Sequence, residues 1–250
     1  MKPLLQLEKV SLNYQTIKDE IVAINDLSFY VNEGEFVSII GPSGCGKTSV
    51  LSLIAGLIPP SKGKILIDGK PATNKNDLGY MLQKDHLFAW RTIEKNTYLP
   101  LEIKKINTPC NREYAKQLLE KYGLKNFITN YPDQLSGGMR QRAALIRTLV
   151  AKPKILLLDE PFSALDYQTR LSVCEDVYKI IKAEKKTAVL VTHDISEAIS
   201  MSDRIIVLTA RPAKVKSVFT IQFENLTPLQ RRESKNFSQF FEKIYKELNQ

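Results

Sequence analysis

The sequence predicts an α/β protein with a mainly parallel core sheet, and three observations carry that expectation. Short runs at 36–40, 155–158 and 188–192 are almost entirely aliphatic, as strands covered on both faces of a parallel sheet must be. Helical patterns separate these runs, so the connections are crossovers, right-handed by rule. A glycine-rich loop follows the first run and opens a helical stretch, which places chemistry at the carboxyl ends of the strands.

Taken in order, Leu5, Leu7, Val10 and Leu12 alternate as in half-buried strands, and a further strand falls within 23–31 before the turn signal Asn32-Glu33-Gly34. Phe36-Val37-Ser38-Ile39-Ile40 precedes the loop, and a helix runs from 47 to about 57, where Pro59-Pro60 ends it. Residues 64–68 form a strand closed by the turn Asp68-Gly69. From about 86 to 150 the signals are helical. Thr92 is placed as an N-cap with Glu94 in the first turn, and Asn111 as the cap of a helix reaching about Tyr122. Met139, Ala143, Ile146 and Val150 lie on one helical face and read as core. Residues 167–183 read as a helix, and Asp194 with Glu197 has the spacing of a capping box. The tail from 211 is polar and basic, with Phe237, Phe240, Phe241, Ile244 and Leu248 at helical spacing. It is expected to pack on its own domain, with a membrane-surface or partner helix as the other reading.

Composition narrows the class. Of 250 residues, 43% are hydrophobic and 25% charged, which excludes a disordered chain. The formal net charge of +9 suits an acidic neighbour, nucleic acid or an anionic membrane surface, and equally suits a merely basic solvated surface. Cys45, Cys110 and Cys174 are odd in number and far apart, which argues against a disulfide framework or a metal knuckle and fits a reducing cytoplasm. The first ten residues reach Glu8 before a signal-like apolar core forms. The longest apolar run, 50–58, falls short of the roughly 18 residues that suggest a membrane span. A soluble chain that reaches any membrane through a partner is expected.

The loop Gly41-Pro42-Ser43-Gly44-Cys45-Gly46-Lys47-Thr48 satisfies G-x-x-x-x-G-K-[ST] in its required strand–loop–helix setting. Its glycines let backbone N–H groups converge on phosphate oxygens at a helix N-terminus. Lys47 can reach the β- and γ-phosphates, and the Thr48 hydroxyl can ligate Mg²⁺. The motif alone fits a kinase, a GTPase, a helicase or a transporter. Four aliphatic residues then lead into Asp159-Glu160. Asp159 can hold Mg²⁺ through water, and Glu160 can act as general base towards the attacking water. Finally, Leu135-Ser136-Gly137-Gly138-Met139 opens a helix just upstream of that pair. It is a second helix start suited to an anion, although an ordinary capped helix would explain it if it stood alone.

With these motifs in this order, together with Gln83, Ser163-Ala164-Leu165-Asp166 and His193, the sequence resembles the nucleotide-binding subunits of ABC transporters over nearly its whole length. The resemblance implies an ABC-type phosphate-loop ATPase with an antiparallel β-subdomain and a helical signature subdomain. Its expected extent is 1–210, with the helical part at about 86–150 and a C-terminal tail at 211–250. It implies a homodimer, or a pseudo-dimer, that buries two ATP molecules with Mg²⁺. It also implies these roles: Tyr14 stacks on adenine, with a core tyrosine as the other reading. Gln83 senses Mg²⁺ and the attacking water. Ser136, Gly137 and Gly138 hold the γ-phosphate of the partner's ATP. Asp166 bridges the two subunits, and His193 contacts the γ-phosphate and orients the water or Glu160.

Within the family, the stretches 83–93, 159–171 and Leu208-Thr209-Ala210-Arg211-Pro212 look like the nitrate, sulfonate and taurine importer group. That branch implies a membrane permease touching Phe88 and Trp90, for which simple packing is the other reading. It also implies an external solute-binding protein and a peripheral place on the cytoplasmic face of the cell membrane. Cys45 inside the loop is either open to thiol reagents or a small space-filler. The competing function is an ABC-type ATPase acting on nucleic acid or the ribosome. A single phosphate loop, the lack of sustained heptads and the dispersed basic residues argue against it, so no nucleic acid is expected.

Overall fold

A computed structural model describes residues 3–15, 19–72 and 77–249. Residues 1–2, 16–18 and 73–76 of the expected domain and residue 250 of the expected tail therefore lie outside the described residues. The chain divides into two compact units, one of residues 1–75 with 185–250 and one of 76–184. Elements are numbered in chain order.

The first unit carries two sets of strands. β1 (Pro3–Gln15) pairs antiparallel with β2 (Glu20–Asn32) and, on its other edge, with β4 (Lys62–Ile67). The short β5 (Lys70–Pro71) completes the order β2-β1-β4-β5. Apolar residues alternate with exposed ones along these strands, the pattern of a sheet with one covered face. In the other set, β3 (Phe36–Ile40) lies parallel to both β8 (Thr187–Val191) and β9 (Arg204–Leu208), and β10 (Val215–Thr220) is antiparallel to β9. Every residue of β3 and β8 is buried. β3 leads through the glycine-rich loop into α1 (Lys47–Ile54), shorter than the expected helix by one turn.

The rest of this unit closes one side of the core. α6 (Ile195–Met201), α7 (Pro228–Glu233) and α8 (Lys235–Asn249) follow. Ile244 of α8 is buried with Ile40, Ala198, Ile199, Ile205, Val207 and Ile221, and Phe237, Phe240, Phe241 and Leu248 pack against them. The apolar stripe of the tail is therefore a core face, and β10 makes the start of the tail part of a sheet. Arg231 on α7 is buried and fastened by hydrogen bonds to the carbonyls of Ser202 (2.9 Å) and Leu226 (3.1 Å). At the start of α6, Asp194 accepts from the N–H groups of Ser196 and Glu197; its own N–H donates to the Thr192 hydroxyl oxygen at 3.1 Å, and that hydroxyl donates to the buried Glu197 carboxylate at 2.6 Å.

The second unit holds the parallel pair β6 (Leu78–Met81) and β7 (Ile155–Asp159) with α2 (Ile93–Ile103), α3 (Pro109–Lys121), α4 (Gly137–Leu149) and α5 (Tyr167–Ala183). Thr92 caps α2 by accepting from the Lys95 N–H, with Glu94 in the first turn, as expected. The cap of α3 is Thr108 rather than Asn111. Pro109 takes the first helical position, where its missing N–H costs nothing, and this moves the start upstream. Asn111 instead donates to the Ile106 carbonyl from inside the first turn. Along α4, Ala143, Ile146 and Val150 are buried, as the stripe predicts. Among the described residues, no helix is long and apolar enough to cross a membrane.

If α8 is held by its apolar face, truncating the side chain at the centre of that face costs the transfer energy plus a cavity. Ile244→Ala should lower unfolding stability by about 2–4 kcal/mol. Lys243→Ala on the exposed side should change it by less than about 0.5 kcal/mol. Urea midpoints of the two variants and the parent decide this.

Candidate functional site

In the first unit the buried strand β3 ends at Ile40, and the chain turns through Gly41-Pro42-Ser43-Gly44-Cys45-Gly46 into α1. Gly46 sits at φ 113°, a conformation closed to side-chain-bearing residues, and is the N-cap of α1 without any side-chain cap. No side chain caps this helix start, and the helix dipole there favours an anion. Lys47 is buried, and its ammonium donates to the carbonyls of Gly41 (2.8 Å) and Pro42 (2.9 Å), so the lysine holds the loop in a ring around itself. Thr48 lies in the first turn of α1 and is exposed.

Cys45 is buried, and its N–H donates to the Pro42 carbonyl at 3.3 Å. Burial pushes its thiol pKa up, against the opposing pull of the Lys47 charge. A protonated, enclosed thiol is a space-filler, and of the two readings of Cys45 this environment favours that one. Tyr14, near the end of β1, is 42% exposed, and its hydroxyl lies 3.1 Å from Ser49 Oγ on α1. It is therefore no core tyrosine, and its hydroxyl sits against the first turn of α1. His193 is exposed just beyond β8, between Thr192 and the Asp194 cap. One contact escaped the sequence reading here: Arg211 donates to the Gly44 carbonyl at 2.9 Å and braces the loop from a distant part of the chain.

In the second unit, β7 carries Asp159 as its last, buried residue. The next residue, Glu160, has φ 44°, the left-handed region, and its carbonyl accepts from both the N–H (3.3 Å) and the hydroxyl (3.0 Å) of Ser163. A non-glycine residue held there costs about 1 kcal/mol or more and signals a constraint imposed by the surroundings. Tyr80 on β6 donates its hydroxyl to Asp159 at 3.0 Å, which fixes the carboxylate; no motif advertised it. Gln83 lies exposed two residues beyond β6.

Ser136 caps α4 by accepting from the Met139 N–H at 3.3 Å. A Cβ at Gly138 would meet Val173 of α5 at 2.9 Å, so glycine there permits close packing of α4 on α5 as well as an uncluttered helix start. Asp166 caps α5 by accepting from the Thr169 N–H at 3.0 Å and is exposed; hydrogen bonding from the Thr169 side chain, then from its N–H, holds the carboxyl below the usual range. The structure thus gathers Tyr14, the phosphate loop and His193 in one unit, and Gln83, Ser136, Gly137, Gly138, Asp159, Glu160 and Asp166 in the other.

The ABC transporter family model matches residues 24–163. An uncharacterized ABC transporter ATP-binding protein of Bacillus subtilis is 48% identical, covering 98% of this chain and 95% of that relative. The aliphatic sulfonates import ATP-binding protein SsuB of Bacillus cereus is 38% identical, covering 98% and 94%. Among solved structures, a dimeric bacterial ABC transporter cassette is 32% identical with a TM-score of 0.73, covering 88% of this chain and all of that one. A dimeric post-hydrolysis state of the same cassette, bound to ADP and phosphate, has a TM-score of 0.71 at 29% identity. The α/β architecture is therefore that of the ABC ATPase cassettes, a family whose members hydrolyse ATP, and this chain belongs to the ABC transporter family as an ATP-binding subunit.

Proposed function

We propose that this ATP-binding subunit drives an importer of small solutes, of the sulfonate, nitrate or taurine kind or a related small organic molecule. Two copies clamp two ATP molecules and move a partner permease. The similarity to a sulfonate import ATP-binding protein along nearly the whole chain carries the importer reading. The domain doing this work spans 1–210, with 86–150 as its helical part and 211–250 as a C-terminal extension. The chain sits at the cytoplasmic face of the membrane, bound to the permease, and an external solute-binding protein delivers the cargo.

The residues suit the chemistry. The phosphate loop residues Gly41 to Thr48 hold the triphosphate, with Lys47 on the β- and γ-phosphates and Tyr14 under the adenine. The Thr48 hydroxyl, the Asp159 carboxylate and the Gln83 amide oxygen are hard oxygen donors of the kind Mg²⁺ takes. Bound Mg²⁺ would neutralise charge developing on the transferred phosphoryl group. Glu160 takes the proton of the attacking water, and His193 and Gln83 orient that water. Ser136, Gly137 and Gly138 present the N-terminus of α4 to the γ-phosphate held by the partner copy, and Asp166 bridges the two copies. Closure thereby excludes water and sets donors around the transferred group before it moves.

The permease contact is supported by Phe88 and Trp90. Their rings stack at 4.8 Å, and Trp90 is 75% exposed. A large aromatic held rigidly in solvent is the kind of anchor that interfaces use.

Three outcomes are expected. Glu160→Gln should bind ATP within about threefold of the parent while hydrolysis falls at least 100-fold, the size of a general-base contribution; parental turnover would remove Glu160 from that role. Lys47→Ala should abolish saturable ATP binding at concentrations that saturate the parent, as read by nucleotide fluorescence. From native membranes with ATP present, tagged Glu160→Gln should recover a multi-span membrane protein, and adding Trp90→Ala should reduce that recovery at least fivefold. Recovery of ribosomes or nucleic acid without a membrane partner would overturn the transport reading and leave the ATPase assignment standing.

A further inference from the structure

The segment after β6 carries Gln83 and ends at the Phe88–Trp90 pair, and α4 begins at Ser136. Between them lies a set of contacts that neither motif requires. Arg140, one turn into α4, donates from Nε to Asp85 Oδ2 at 3.1 Å and from Nη1 to the Leu135 carbonyl at 2.7 Å. A single guanidinium thus ties Asp85 to the residue immediately before the Ser136 cap. Arg147, two turns further along α4, donates to the carbonyls of Asp85 (2.6 Å) and His86 (2.7 Å). Burial holds its pKa below the usual arginine value, with Asp85 opposing that shift. Asp85 also accepts from the Leu87 N–H at 3.1 Å, which shapes the turn leading to Phe88.

The far end of the segment is fixed as firmly. Asn96 of α2 is fully buried, accepts from the Phe88 N–H at 2.7 Å and donates to the carbonyls of Phe88, Arg91 and Thr92 at 2.9–3.1 Å. Residues 85–92 are therefore bound to α4 at one end and to α2 at the other, and carry the half-buried Phe88 and the exposed Trp90 stacked on it.

We propose that Arg140, Arg147 and Asp85 form a positioning clamp that makes the Gln83 segment and the Ser136 helix start move as one body. A displacement imposed at Phe88 and Trp90 then reaches the N-terminus of α4 without passing through the phosphate loop. None of the three need touch nucleotide; they act through Gln83 and Ser136. An ion pair with one partner one-third exposed would contribute little as an isolated surface contact. Here the same guanidinium also satisfies a backbone carbonyl, and a second arginine holds the same turn. The role in turnover rests on the proposed function, whereas the clamp itself does not.

The test is a double-mutant cycle of Asp85→Ala and Arg140→Ala, both at partly exposed sites, with two readouts. In hydrogen exchange of the purified chain, each single variant should raise exchange about 10-fold in both 83–88 and 135–139. The double variant should match the singles rather than multiply them, since groups acting through one contact are not additive. In steady-state ATP hydrolysis, each single variant should lower kcat about 5- to 10-fold with KM for ATP within twofold. Exchange that rises only around the substituted residue, or effects that multiply in the double variant, would overturn the clamp. A parent chain that fails to dimerise with ATP in the Glu160→Gln background would overturn the proposed function, and the exchange readout would still decide the clamp.

Discussion

The ammonium of Lys47, held by the carbonyls of Gly41 and Pro42, imposes the constraint on which the phosphate loop depends. A buried positive charge is tolerated only when its donors are satisfied, and here the loop supplies the acceptors. That requirement bends the chain around the lysine at the uncapped start of α1. The bend needs a rigid strand before it, which the fully buried β3 between β8 and β9 supplies. It also needs a left-handed N-cap, which Gly46 supplies. Arg211, reaching back from beyond β9, adds a donor to the Gly44 carbonyl and ties the loop to the C-terminal part of the same unit.

The second unit meets a different demand. Its helix start at Ser136 presents backbone donors only if α4 is held close and in a fixed orientation. Closeness comes from Gly138 against Val173 of α5, where no side chain would fit. Orientation comes from arginines on α4 reaching the turn after Gln83. The same helix therefore packs through its small residues and is aimed through its long ones.

Much of this was legible in the sequence because the relevant chemistry is local. The strand–loop–helix order around Lys47, the aliphatic run into Asp159, the Thr92 cap and the 167–183 helix each depend on neighbours within a few residues. The apolar stripe of α8 was also readable as a packing face, since periodicity records which side is covered. The phosphate loop did not reveal that Lys47 would be fastened by its own loop. The misses have a common cause. Tyr80 reaches Asp159 across 79 residues and Arg140 reaches Asp85 across 55, and such pairs leave no periodic trace. The spacing of Asp194 and Glu197 shows a helix start but not the Thr192 hydroxyl that accepts from the Asp194 N–H and donates to the Glu197 carboxylate. Asn111 lost the cap of α3 to Thr108 because Pro109 is better suited than any other residue to the position that follows.

The backbone at Glu160 carries a consequence on a longer timescale. Its left-handed conformation is one that glycine would occupy without strain, while the proposed chemistry needs a carboxylate at that place. Folding and turnover therefore favour different residues at a single codon. In a lineage released from the need to turn over nucleotide, drift towards glycine would relax the chain and leave its phosphate loop untouched. On the proposed chemistry, such a chain would still bind nucleotide but would lack the carboxylate that turns it over, so the strained acid at this position separates a chain that cycles from one that only binds.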